Sequence, residues 1–62
     1  MYKLKFYHKK GVNKGNLHHE EFFQTLKKLQ SRYDDVFVYK DFSLNPTAWK
    51  QTLNGWERIA GH

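Results

Sequence analysis

LHHEEFFQTLKKLQSRY, residues 17–33, is the stretch on which the reading of this chain turns. Phe22, Phe23, Leu26, Leu29 and Tyr33 recur at threes and fours, the spacing that lays one apolar stripe along a helix of about four turns. Asn16 stands where a cap would accept from the first exposed N–H groups. Glu20 and Glu21 then fall near the positive end of the helix dipole, with Lys27, Lys28 and Arg32 toward the negative end. The stretch is therefore expected to be a helix whose stripe the flanking segments cover.

Upstream, Tyr2 to His8 alternates Tyr2, Leu4 and Phe6 with Lys3, Lys5 and Tyr7, which predicts a strand with one oily face and one basic face. Lys9 to Asn16 (KKGVNKGN) has the composition of an exposed basic turn, with a short hairpin around Val12 as the alternative. Downstream, Asp34 and Asp35 make a polar connection to Val36–Tyr39, a run of β-formers extendable through Phe42 and Leu44, read as a second strand. Asn45-Pro46 reads as a cap followed by the first residue of a second helix. Trp49, Leu53, Trp56 and Ala60, spaced by four, three and four, supply its stripe, and Gly55 interrupts it. The expected fold is thus a small α/β domain over residues 1–62, of order β-α-β-α. Two parallel strands with a right-handed crossover pack against two helices. A two-stranded sheet is thin for independent stability, so a homodimer that completes it is part of the expectation.

With 62 residues and no cysteine, the chain has neither disulfides nor thiolate metal sites to staple a small core. Its 18% aromatic content offers compensation, because large rings bury much area with few rotatable bonds. No apolar run is long enough to span a bilayer, and the N-terminal residues lack the pattern of a signal peptide; the expectation is a cytoplasmic protein with no membrane partner.

The formal charge of +5 favours an anionic partner. Lys3, Lys5, Lys9, Lys10 and Lys14 crowd the N-terminal stretch, and Tyr7 shares a strand face with Lys3 and Lys5. Such a surface can hold phosphates while a ring stacks on a base. Lys28 and Arg32, one helical turn apart, would extend it. A competing surface consists of Tyr33, Phe37, Tyr39 and Phe42, rings of the kind that anchor protein interfaces.

His8, His18, His19, Glu20 and Glu21 hold donor atoms but lack HExxH or a second spaced pair of ligands, so neither metal nor other cofactor is expected. Gly11 and Gly15 do not form a phosphate loop. A small RNA-cleaving enzyme, with His18 or His19 as base and Lys10 or Arg32 on the phosphate, is the minor reading; the expectation is no catalytic residues and no enzyme. The leading expectation is a non-catalytic macromolecule-binding domain, nucleic acid ahead of protein. The alternative is a small inhibitor or adaptor that occludes a host protein's surface, a role that suits an accessory protein of a virus or mobile element.

Overall fold

The structure is a computed structural model that describes residues 1–38 and 44–61, with helix side chains described through residue 36. Its elements are β1 (Tyr2–His8), β2 (Leu17–Phe23), α1 (Leu26–Val38), β3 (Leu44–Thr52) and β4 (Gly55–Gly61). The four strands form one sheet in the order β2-β1-β3-β4, with every pair antiparallel. This order, β-β-α-β-β with one helix, replaces the expected β-α-β-α arrangement with parallel strands. The reason given above for a homodimer falls with it, because one chain supplies four strands.

β1 is as the alternation requires. Its even residues face α1, and Leu4 and Phe6 are essentially inaccessible to solvent. They form the core with Leu29 of the helix and Ala48 of β3, and Tyr2, Phe23, Tyr33, Val36 and Leu44 pack around them. Half of the expected helix is a strand. Residues 17–23 run antiparallel to β1, with Phe23 opposite Tyr2, Glu21 opposite Leu4 and His19 opposite Phe6. Phe22 and Phe23 therefore point to opposite faces rather than along one stripe. The turn before β2 is closed by His8 N–H donating to Asn16 O (2.9 Å) and Gly15 N–H to His8 O (2.8 Å), so Asn16 closes a hairpin and caps no helix.

The cap of α1 is Thr25, whose Oγ1 accepts from Lys28 N–H at 3.2 Å. Leu26, Leu29, Tyr33 and Val36 continue the three-four spacing and turn that face toward the sheet. With the start moved to Leu26, the charge order reverses. Lys27 and Lys28 lie in the first turn, and there is no acid there and no base in the last turn. The dipole opposes these lysines, so the helix is held by its apolar face. Val36–Val38, read as the start of a strand, is its last turn.

The expected second helix is the β3–β4 hairpin. Thr52 pairs with Gly55 around the two-residue loop Leu53-Asn54, and Thr52 Oγ1 accepts from Asn54 N–H (3.3 Å) and donates to Gly55 O (3.0 Å). Pro46 stands opposite Phe6 of β1, and among the described residues the first rung between β3 and β4 is Thr47 with Gly61. At Gly61 the chain passes so close that a Cβ would sit 2.6 Å from Pro46 O, at a φ of +94°. Only glycine fits that approach without displacing backbone.

The helix packs over β1, β2 and β3, and an apolar groove of about 320 Å³ separates Leu26, Leu29 and Tyr33 from Ile59 and Ala60 of β4. No helix among the described residues is long and apolar enough to cross a membrane.

Two outcomes follow for stability. Leu4→Ala removes a fully buried side chain and should cost about 3 to 5 kcal/mol, most of the roughly 3 to 9 kcal/mol expected for a domain of this size; urea denaturation followed by circular dichroism measures it. Gly61→Ala should lower the unfolding midpoint clearly, whereas Val12→Ala, at a fully exposed turn position, should leave it unchanged.

Candidate nucleic-acid interface

The face of the sheet opposite α1 carries the odd residues of β1 together with Glu20 and Phe22 of β2, Thr47 and Trp49 of β3, and Trp56 and Arg58 of β4. Two kinds of site result along this face.

At one end the cations are consumed by the fold. Lys3 is only 7% exposed although it is on the face without a helix. Its Nζ lies 3.0 Å from Glu20 Oε2 and 4.2 Å from the centroid of the Trp56 ring, with the Phe22 ring at 5.9 Å. Phe22 and Trp56 approach each other above it, their centroids 6.3 Å apart. A lysine so neutralised and covered holds the sheet together and presents no charge to a partner.

At the other end the rings are open. Lys5 Nζ sits 4.6 Å from the Trp49 ring centroid, and Trp49 Nε1–H donates to Thr47 Oγ1 at 2.8 Å. Thr47, itself buried, donates to the Lys5 carbonyl at 3.4 Å, so the indole is fixed from two sides. A β-bulge skips Ile59 and sets Arg58 opposite Trp49. Here the sheet ends in a cleft of about 370 Å³ lined by Tyr7, His8, Lys9, Lys14, Trp49 and Arg58, among others. Among the described residues that line it there is no carboxylate.

The expected nucleic-acid residues are thus divided. Tyr7, Lys9 and Lys14 line the cleft, and Lys5 adjoins it through Trp49. Lys3 is buried, and Lys10 lies on the exposed turn outside the cleft lining. Lys28 and Arg32 are on α1, across the sheet. Trp49, Arg58 and His8 were not among the expected binding residues; Trp49 and Arg58 come into place only once residues 44–61 are a hairpin. Of the expected protein-interaction residues, Tyr33 is half-buried and packs against the core. Tyr39, Phe42 and the side chain of Phe37 lie outside the described residues.

Arg32 belongs to a second constellation. Its Nε–H donates to Glu21 Oε1 (2.9 Å) and its Nη2–H to Oε2 (3.1 Å), a two-pronged pair that ties α1 to β2. Glu21 Oε2 also lies 2.9 Å from His19 Nε2, and His19 Nδ1 lies 2.6 Å from His18 Nδ1. The His19 ring stacks on Phe6 at 4.4 Å with 9° between planes. His8 meets His18 edge-on at 4.9 Å between centroids. No group of three metal-ligating side chains able to hold an ion occurs among the described residues.

Arg32 holds the Glu21 carboxyl below its ordinary value of 4.5; partial burial opposes this, and His19 reinforces it. No known family model, curated protein or solved structure matches the chain.

Because the folded Glu21 value is lowered, the stability from this pair is whole above the ordinary value of 4.5 and is lost as pH falls through the folded one. Glu21→Gln should therefore cost about 0.5 to 1 kcal/mol at neutral pH, a modest figure suited to a partly exposed pair, and the difference from the parent should vanish in strong acid. Denaturant unfolding of both proteins across the acid range checks this.

Proposed function

We propose that this protein binds nucleic acid at the cleft where the open face of the sheet ends. The observation that carries the reading is the composition of that cleft. Trp49 and Tyr7 lie among Lys9, Lys14, Arg58 and His8, and none of the described residues in the lining is a carboxylate. Phosphate groups are attracted to such a lining, and a base can stack on a ring already held in place by Thr47 and Lys5. Stacking of this kind contributes about 1 to 3 kcal/mol per base and tolerates any base, so binding of single strands with little sequence preference is the form the cleft favours. The surface reading made from the lysines alone is narrowed in two ways. Lys3, Lys28 and Arg32 leave the interface, and Trp49 and Arg58 enter it.

Titration of labelled single-stranded RNA and DNA and of duplexes, by fluorescence anisotropy at two salt concentrations, tests the proposal. Single strands should bind more tightly than duplexes, quench tryptophan fluorescence and weaken steeply with salt. Lys14→Glu with Arg58→Glu should reduce the salt slope by about 2, while Lys28→Glu should leave binding unchanged. Absence of binding at low salt, or binding indifferent to salt, would overturn it.

A further inference from the structure

The three imidazoles at the turn end of the β1–β2 hairpin are in continuous contact, and the hydrogen-bond chain that joins two of them admits only certain protonation states. We propose that this cluster makes the cleft acid-responsive, so that affinity for a nucleic-acid single strand rises as imidazoles charge. The proposal rests on the binding site proposed above and concerns its regulation.

The chain is read from its fixed end. Glu21, held by two Arg32 donors, is an acceptor only, so the His19 nitrogen 2.9 Å away must carry a proton at Nε2. A neutral His19 then has a bare Nδ1, and the contact of 2.6 Å with His18 requires that His18 donate from its own Nδ1. The Nε2 of His18 is left to gain a proton without disturbing the chain. One proton can therefore be taken up with the geometry intact. A second, on His19 Nδ1, sets two N–H groups against each other at that separation, and the His18 ring must leave.

Position links this chemistry to the cleft. His18 is the residue the β-bulge skips between the Phe6–His19 and Tyr7–Leu17 pairs, so it has no register partner on β1. It touches His8, which lines the cleft beside Lys9 and Lys14. His19 is restrained by stacking on Phe6 and does not follow.

The charged and titratable groups that face the pair are His8 from β1, Glu21 from β2, and Arg32 and Asp35 from α1, among the described residues. Glu21 stays ionised throughout because its carboxyl is held low. Asp35 lines the same hollow as the two rings. A proton on His8, or on His18 in contact with it, adds positive charge at the cleft rim.

The test measures the affinity of a labelled single-stranded oligonucleotide at pH 8 and pH 5.5 at constant ionic strength, for the parent protein and for His18→Gln. The parent should bind about tenfold more tightly at the lower pH, as added charge at a phosphate site implies, and His18→Gln, which lies outside the cleft lining, should keep its pH 8 affinity and lose a substantial part of the gain. Equal affinity at both pH values, or a gain that the variant retains, overturns the acid response while leaving the binding site standing. No binding at either pH overturns both. An independent readout needs no ligand: nitrogen-15 spectra of the histidine rings at pH 8 should show a protonated Nδ1 on His18 and a protonated Nε2 on His19. The opposite tautomers, or a spectrum altered by a metal chelator, would also overturn it.

Discussion

Phe6 is the side chain on which the two faces of the molecule depend. It is almost wholly buried, with Leu4, Leu29 and Ala48 as its core companions. Its ring also carries His19 in a parallel stack and has the Arg32 guanidinium 5.8 Å from its centroid. One aromatic residue thus completes an apolar core and orients a polar chain beside it. In a domain with so few fully buried groups, this double use means that the hydrophobic and electrostatic parts of the structure are not separable. A change at Phe6 would disturb packing and the register of β2 against β1 together.

Charge is distributed with a similar economy. Lys3 and Arg32 are each matched to one glutamate of β2, Glu20 and Glu21, which point to opposite faces of the sheet. These pairs fasten β2 to its neighbours on both sides, and each sets one cation against a carboxylate. The cations that remain near the cleft come from a turn, a strand end and a bulge, places where the ladder no longer dictates where side chains lie. The surface proposed to bind is set at the margin of the part that folds.

Which features were legible in the sequence follows from how each element is partnered. β1 was readable because one face is apolar and the other is not, and the spacing of Leu26, Leu29 and Tyr33 was readable because one helix face meets the sheet. Residues 17–23 hid their strand character. Glu20 is there for Lys3, His19 for Phe6, and the two phenylalanines serve opposite faces, so the apolar alternation that marks a strand is missing. In residues 44–61 a false helical signal competed with a true one. Trp49, Leu53, Trp56 and Ala60 happen to fall at helical spacing, yet Leu53 is fully exposed at a hairpin tip and Ala60 lies across the ladder from Ala48. Asn54-Gly55, between Trp49 and Gln51 on one side and Trp56 and Arg58 on the other, was the hairpin signal available. The same misreading hid the site, since Trp49 meets Tyr7 and Lys14 only through the β1–β3 pairing.

That pairing has a temporal side. β1 is central, and its two neighbours are acquired at very different distances along the chain: Tyr2 faces Phe23 on one flank and Lys50 on the other, with Met1 O accepting from Gln51 N–H at 3.0 Å. The hairpin with β2 closes a short loop, whereas the seam with β3 must bring together residues separated by most of the chain, and such closures slow folding. A half-formed molecule would therefore hold β1 with one edge satisfied and the other bare, its lysines and Leu4 row still waiting for Ala48 and Trp49. The basic residues of that strand are then also a safeguard, because like charges discourage two unfinished chains from pairing through the edge each has exposed.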